Sequence, residues 1–417
     1  MLPPMKVLPE MKRIVKPKKQ KKRLDDSQYT GRDLRALDLQ VCNRCIYDEG
    51  IPDIEFDENG VCNYCHKHDK FQEEYQTGSP EGEKRFEEIV DKIKQKGKNK
   101  KYDCVIGVSG GTDSSYLLYK AKQMGLDPLA VHYDNTWNTS TATQNIRKVL
   151  DKLDIDLYTH VVNNQEIDDI FKSFFKSGVP ELDAATDLAL AEVLYQAASK
   201  HDIDYIFNGH SYMSEGISPT GSFYFDGAYI KDIHDQYGTH EMETYPLMNF
   251  SRFMRWTLIS RIKRIRPLWY IQYSKEDAKE FLSEEFGWEY YGGHHLENRL
   301  TQFMHSVYLP VKFGMDLRNN TLSAQVRAGE MSREEALDEY AKPPHIEAGL
   351  VEYFRKRLNI SADEYNRIMT GTQRNFQDFK TYKNRFEKLK PLFYVLMKSD
   401  LVPKSFYEKY CFPMNNS

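Results

Sequence analysis

Ser109-Gly110-Gly111-Thr112-Asp113-Ser114-Ser115 decides how this chain of 417 residues is read. The apolar run 104–108 (CVIGV) precedes it, and Tyr116, Leu117, Tyr119 and Ala121 follow at helical spacing as far as Met124. The order is therefore strand, glycine turn, helix. Two adjacent glycines let backbone N–H groups approach an anion closely. Small hydroxyl side chains at a helix N-terminus complete a phosphate cradle. No Gly-Lys-Ser/Thr and no GxGxxG occurs, which excludes the lysine-bearing phosphate loop and disfavours a nicotinamide dinucleotide. A turn capped by Ser and Asp is the plainer alternative; the complete motif between strand and helix favours the phosphate site.

Outward from this loop the pattern repeats. Residues 128–133 and 157–162 read as strands, with a helix over 141–153 between them; a helix over 187–201 leads to a strand over 203–207. Alternating strands and helices predict a doubly wound parallel sheet, whose ligand lies at the carboxyl ends of its strands. Those ends carry His132-Tyr133-Asp134-Asn135 and Asn208-Gly209-His210, the latter followed by Glu215. An amphipathic helix is expected over 78–100. Beyond Tyr245-Pro246 the alternation is expected to end. Residues 251–266, with six basic side chains among aliphatics, read as a surface helix. Helices capped by Ser274 and by Ser332 (with Glu335) follow, and 346–411 look helical. The expected division is a basic, disordered tail (1–40), a cysteine module (41–75), a nucleotide domain (76–245), a second site region (246–345) and a helical extension (346–417).

The six cysteines include Cys42-x2-Cys45 and, sixteen residues on, Cys62-x2-Cys65. Two such knuckles place four thiolates around one tetrahedral ion, and zinc is favoured over an iron–sulfur cluster. Four sulfurs close the shell, so the expected role is structural. Cys104 and Cys411 have no Cys/His company that would make them nucleophiles. The net charge is −4. Residues 1–23 hold nine Lys/Arg against one acid, which leaves the remainder at −12 and disfavours nucleic acid as substrate. No apolar run approaches the roughly 18–20 residues of a membrane span, and no signal-peptide core is present, so a cytoplasmic location is expected.

SGGxDS after a strand resembles the PP-loop ATP pyrophosphatases, a HUP-like superfamily that cleaves ATP between its α and β phosphates. The resemblance implies that Ser109, Gly110, Gly111, Thr112, Ser114 and Ser115 hold the phosphates. It also implies that Asp113 binds Mg²⁺, and that His132, Asp134, Asn208 and Gly209 line the nucleotide. The stretches 42–65 (CNRCIYDEGIPDIEFDENGVCNYC), 102–120 (YDCVIGVSGGTDSSYLLYK), 129–138 (LAVHYDNTWN), 280–303 (EFLSEEFGWEYYGGHHLENRLTQF) and 309–337 (LPVKFGMDLRNNTLSAQVRAGEMSREEAL) together resemble the N-acetyl sugar amidotransferase family of O-antigen and nonulosonic-acid pathways. The resemblance implies conversion of a sugar acetamido group to acetamidino through an O-adenylyl imidate, with AMP and pyrophosphate released. Asp113, Ser114, His295, Glu297 and Arg299 are the expected catalytic set. Glu215, Gly292, Gly293, Lys312 and Arg318 are expected to contact the substrate, a nucleotide-activated or free acetamido sugar. No glutaminase is recognisable, so ammonia is expected from a separate glutaminase, with a possible channel subunit. Thr112 replaces an apolar residue of the family pattern, and Thr136 replaces a glycine. The rival readings are a PP-loop enzyme modifying tRNA (thiolation or lysidine type) and a non-catalytic zinc-ribbon protein.

Overall fold

The computed structural model describes residues 29–219, 223–293 and 296–413. A ribbon with bridges Val41↔Asp48 and Phe56↔Cys62 opens it, followed by α1 (Asn63–Tyr75) and α2 (Pro80–Gly97). The α/β body is β1 (Cys104–Gly107), α3 (Thr112–Gln123), β2 (Pro128–Asp134), α4 (Ser140–Leu153), β3 (Leu157–Val161), α5 (Asn164–Ser177), α6 (Ala184–Lys200), β4 (Tyr205–Phe207) and α7 (Gly227–Tyr237). Then come α8 (Phe250–Met254), a π-helical turn over 255–260, and β5 (Lys263–Ile265). The rest is helical: α9 (Lys275–Phe286), α10 (Arg299–Phe303) running into a π-helical stretch over 304–313, α11 (Arg318–Ala328), α12 (Arg333–Ala341), α13 (Leu350–Arg357), α14 (Ala362–Thr370), α15 (Lys383–Lys388), α16 (Lys390–Lys398) and α17 (Lys404–Tyr410).

All five strands are parallel, in the order β3-β2-β1-β4-β5. The chain winds outward from β1 to β3 and then crosses to the other side of β1. The order therefore reverses between β1 and β4, and their carboxyl ends form the crevice where doubly wound sheets bind ligands. Strand residues alternate between two cores, as a period of two requires. Cys104, Ile106, Ala130, Tyr205 and Phe207 face α2, α3, α4 and α9, whereas Val105, Leu129, Val131 and Ile206 face α5 and α6.

Four features depart from the sequence reading. The alternation does not end at Pro246: residues 263–265 add β5 beside β4. At a sheet edge, charged residues such as Lys263 and Arg264 are tolerated, which hides so short a strand. α5 and α7 occupy stretches to which the sequence reading assigned no element. The helical region is not an appendage. Leu300, Phe303, Leu309, Leu350 and Phe354 share one core with α5 and α6, and Phe303 stacks on Phe354 with centroids 3.8 Å apart. Residues 1–28 of the expected tail lie outside the described residues, but 29–40 are docked. Leu34 is buried with Ile46, Leu337 and Tyr340, and Tyr29 Oη donates to Asp316 Oδ2 (3.0 Å).

Candidate active site

The glycine loop is fixed from behind. Gly110 has φ +83°, and a Cβ there would lie 2.2 Å from the Ala142 carbonyl oxygen of α4, so only glycine fits. Its own carbonyl accepts from Trp288 Nε1 (3.0 Å) and from Asn145 Nδ2 (3.5 Å). Asn145 also brackets Glu289, donating to its carbonyl (2.8 Å) and accepting from its N–H (2.9 Å). The Gly110 carbonyl is thereby turned away from the N-terminus of α3, whose first-turn amides have no intrahelical acceptors and can face an anion. Ser109 Oγ accepts from Gly111 N (3.3 Å), and Ser114 Oγ donates to the Gly111 carbonyl (3.2 Å). Thr112 and Ser115 are buried, so the Thr112 side chain points into the body.

Asp113 does not stand open. Tyr273 Oη donates to its Oδ1 (2.5 Å) and Lys275 Nζ to its Oδ2 (2.8 Å). Lys275 is buried, and its Nζ also lies 4.0 Å from Glu215 Oε1. Burial works against its charge; Asp113, Glu215 and Glu297 outweigh that effect and hold the ammonium above the ordinary lysine value. Glu297 enters from the far side. The segment 297–299 pairs with the loop after β2 through the bridge Asn138↔Asn298. In it, Thr139 N donates to the Glu297 carbonyl (2.8 Å) and Arg299 N to the Trp137 carbonyl (2.9 Å). Buried Glu297 thus reaches the loop, its Oε1 3.7 Å from where a Gly111 Cβ would sit. The Tyr291 hydroxyl lies beside it, driven well above the ordinary phenol range by burial and by Glu297 and Asp113. Three carboxylates from three separate segments therefore gather around one ammonium. These carboxylates do not converge as a ready metal site, the four cysteines being the one such group among the described residues; Asp113, at the loop, is the one placed to meet a cation that arrives with phosphate.

Among the residues expected to touch nucleotide, His132 is buried with both ring nitrogens engaged: Nδ1 lies 2.8 Å from the Val108 carbonyl and Nε2 3.2 Å from Asn138 Nδ2. It ties the ends of β1 and β2 together. Asp134 Oδ1 accepts from Thr136 N (2.7 Å), and Asn208 Oδ1 from His210 N (2.8 Å), so both shape turns. Gly209 packs on the first turn of α3, 3.5 Å from the Asp113 carbonyl carbon measured from a Cβ position.

The loop after β2 explains the unexpected threonine. Thr136 has φ +63°, a conformation that β-branched residues rarely adopt. Arg357 of α13 holds it there, donating Nη2 to Thr136 Oγ1 (2.5 Å) and Nη1 to its carbonyl (2.6 Å). The same guanidinium pairs with both Asp168 oxygens (3.0 Å each) and lies 4.2 Å over the Trp137 ring.

On the substrate side the residues scatter. His295 lies outside the described residues, and Gly292 and Gly293 are the described residues just before it. Gly292 has φ +97° and faces His345. Arg299 is bound to Glu347 (3.2 Å) and lies over Tyr353. Two of the expected substrate contacts hold partners within the chain. Lys312 is buried and its ammonium donates to the carbonyls of Ile368 and Gly371 (3.2 Å to the latter), closing the C-terminus of α14. Arg318 pairs with buried Asp316 (2.6 Å) and donates to the Tyr340 carbonyl. Both cations serve local structure, and neither is gathered with the loop. Tyr273, Lys275, Tyr291 and Arg357 are the site residues that sequence reasoning missed. Lys275 had one signal, its place directly after the Ser274 cap.

The four cysteine sulfurs lie within 4.8 Å of one another, with contacts of 3.6–3.8 Å. A tetrahedron with Zn–S bonds of about 2.3 Å has edges of about 3.8 Å, so zinc fits. Backbone N–H groups of Arg44, Cys45 and Cys62 point at Cys42 Sγ. Arg327 of α11, buried and 4.5 Å over the Tyr47 ring, donates to Cys45 Sγ (3.2 Å) and Cys65 Sγ (3.4 Å). It supplies positive charge to a centre that would carry a net negative charge with zinc bound.

Comparison with known proteins gives three further findings. Residues 297–391 match the family model described as "LPS biosynthesis protein WbpG-like, C-terminal domain". A tRNA-specific 2-thiouridylase MnmA of Lactobacillus delbrueckii subsp. bulgaricus is 31% identical over 126 residues, 27% of this chain and 33% of that protein. The chain thus spans about a third of the length of the curated relatives it matches. Among solved structures, the NH3-dependent NAD synthetase of Campylobacter jejuni aligns with TM-score 0.29 and 14% identity over 70% of this chain and 97% of that one. The NMN synthetase of Francisella tularensis aligns at 0.26 and 13%, over 64% and 98%. At such scores the fold rests on the sheet order and the loop themselves.

Proposed function

We propose that this chain, a PP-loop-type α/β protein whose residues 297–391 form a WbpG-like C-terminal domain, is an ATP-dependent N-acetyl sugar amidotransferase. The observation that carries the reading is the meeting of Glu297, from the edge of that domain, with the loop Ser109–Ser115 and with Asp113 and Lys275. The loop binds the ATP phosphates through its amides and hydroxyls. Asp113 would hold a Mg²⁺ ion that enters with ATP, and that ion would supply charge neutralisation of the phosphates. Lys275 balances the carboxylates while that charge is absent and faces the departing pyrophosphate when it is present.

The chemistry follows from the poor leaving ability of an amide oxygen. The acetamido oxygen attacks the α phosphorus of ATP; a P–O bond forms, pyrophosphate departs, and the amide nitrogen gives up its proton, leaving an O-adenylyl imidate. Ammonia then adds to the imidate carbon and the C–O bond to AMP breaks, giving the acetamidine. Glu297, beside Tyr291 and close to the loop, takes the proton from incoming ammonium. Preorganised amides stabilise the charge that develops on the phosphates. The ammonia comes from a separate glutaminase. The test is mass spectrometry of UDP-N-acetyl sugars incubated with ATP and ammonium: a product lighter by the difference between O and NH, formed with AMP, is expected. AMP without that mass change refutes the reading.

The similarity to a tRNA thiouridylase favours a second reading, adenylation of a tRNA base followed by sulfur transfer. Against it, no thiol of the chain lies at the loop. Cys104 is buried at the opposite end of β1, Cys411 is buried in the C-terminal aromatic cluster, and the other four form the metal cluster. AMP release that requires added tRNA would establish it.

A further inference from the structure

Exposed apolar side chains concentrate on one helical unit. Among the described residues, Leu258, Ile259, Tyr394, Val395 and Phe412 are five of the nine large apolar side chains left exposed, Ile259 at 76% and Val395 at 58%. All five belong to two segments that share a core. α15, α16 and α17 bury Phe386, Phe393 and Leu396, and Phe250, Phe253 and Met254 of α8 pack on them. Phe253 meets Phe393 and Phe406 with ring centroids 6.2 and 5.0 Å apart. This packing explains the inner side chains of these short helices and leaves the outer ones uncovered. On α16, Phe393 and Leu396 are buried, whereas Tyr394 and Val395 between them face outward.

The outer side chains touch one another. Tyr394 lies 5.9 Å from Tyr407, and Tyr407 lies 5.3 Å from Phe412, so α16 and the end of α17 present one aromatic strip. Cations border it: Lys390 Nζ lies 3.5 Å from the Phe412 centroid and Lys398 Nζ 5.7 Å from that of Tyr394. The unit's charge is opposite to that of the body. Residues 250–261 and 382–412 carry ten Lys/Arg against three acids, in a chain whose residues beyond 23 are net negative. Two of those acids are already paired, Glu387 with Lys383 (3.6 Å) and Glu408 with Lys67 (3.1 Å). Arg255, Arg261, Arg385, Lys388, Lys398 and Lys404 are exposed, and among the described residues none of the six pairs with a carboxylate.

An uncovered apolar strip bordered by unpaired cations suits a partner that is anionic at its surface and apolar beneath it. None of the five apolar side chains lines the cavity between α1, β5 and the segment joining α16 to α17, so that cavity offers a protein partner no anchor beside the strip. A lipid surface needs no pocket: aromatic and aliphatic tips enter at the level of the headgroups while lysine and arginine reach the phosphates. No described helix is long and apolar enough to cross a membrane, so the contact is peripheral.

We propose that the unit formed by α8, the turn over 255–260 and α15–α17 is a docking surface for an anionic lipid bilayer.

Co-sedimentation of the full-length protein with vesicles tests it. Vesicles of phosphatidylcholine mixed with phosphatidylglycerol are expected to bind the protein, and phosphatidylcholine alone to bind it about tenfold more weakly or not at all. Tyr394→Ser combined with Val395→Ser is expected to weaken binding about tenfold. Lys388→Gln combined with Lys398→Gln should weaken it by about the same factor, most strongly at low salt. All four side chains are exposed, so melting temperature and ATP binding should stay at wild-type values. Equal binding to both vesicles, or binding to neither, overturns the proposal. So does binding that all four substitutions leave unchanged, which would assign it to the basic residues before position 24. Sedimentation velocity without lipid covers the remaining occupant: a dimer that Tyr394→Ser with Val395→Ser dissociates would make a second copy the partner and overturn the proposal as well. Vesicle binding is independent of the amidotransferase chemistry, and either can fail without the other.

Discussion

Lys275→Met removes the one ammonium inside the acidic cluster. In the wild type it lies 2.8 Å from Asp113 and 4.0 Å from Glu215, both largely buried. Breaking a buried pair by deleting one partner costs about 3–5 kcal/mol, because the remaining charge is left without compensation. Asp113 and Glu215 keep 15% and 13% of their side-chain exposure, which puts the expected loss near the lower end, about 3 kcal/mol. The pH dependence has a definite sign. Lys275 is held above its unfolded value, so its contribution is present below the ordinary lysine range and disappears as pH rises through the elevated folded value. At acid pH the carboxylates protonate and need the ammonium less. The difference between wild type and variant should therefore be widest between about pH 6 and pH 9. Urea unfolding followed by tryptophan fluorescence at several pH values measures it. A second readout distinguishes charge from packing: Mg²⁺ should raise the melting temperature of the variant more than that of the wild type, since the cation replaces the missing ammonium. A loss below about 1 kcal/mol, constant with pH and indifferent to Mg²⁺, would refute the cluster as described.

Elemental analysis should find one zinc per chain, lost in Cys65→Ser; Arg327→Met should retain the metal and release it faster to a chelator, since the thiolates lose their two guanidinium hydrogen bonds. Arg357→Met should cost about 2–4 kcal/mol in urea unfolding, having lost its hydrogen bonds to Thr136 and its pair with Asp168. Thr136→Gly should be within about 1 kcal/mol of wild type, because relief of the left-handed backbone offsets one lost hydrogen bond. Glu181 is buried, which pushes its carboxyl up to about 7 despite bonds from Tyr224 N and Tyr229 Oη. An acid raised on folding lowers stability as pH climbs from its unfolded value through its folded one. Glu181→Gln should therefore be more stable than wild type by about 1–3 kcal/mol at pH 8, with the gain gone near pH 5 in thermal melts across that range.

The centre of the sheet and the loop were legible because they follow local rules. Strand, Gly110-Gly111 and helix are contiguous, and the two CxxC pairs announce their cluster by spacing alone. Thr136 was also visible as a misfit: a threonine where the pattern wants glycine marked the one loop residue with a left-handed backbone, although not the Arg357 that holds it, 221 residues away. What stayed hidden was made by tertiary contact. Lys275 and Tyr273 reach Asp113 across about 160 positions, and nothing in their neighbours distinguishes them from a helix start. Lys312 and Arg318 show the converse. A cation in a polar, aromatic segment reads as a phosphate contact, but only the fold reveals that carbonyls at a helix end and buried Asp316 already occupy them. β5 was lost because three residues at an edge carry no periodicity.

The central claim is that the acetamido oxygen itself attacks ATP, and an isotope measurement tests it most directly. A nucleotide-linked N-acetyl sugar labelled with heavy oxygen in the acetamido carbonyl, incubated with the enzyme, ATP and ammonium, should transfer that oxygen to the phosphate of AMP, one label per acetamidine formed. Unlabelled AMP, with the heavy oxygen still on the sugar or released to water, would contradict the account.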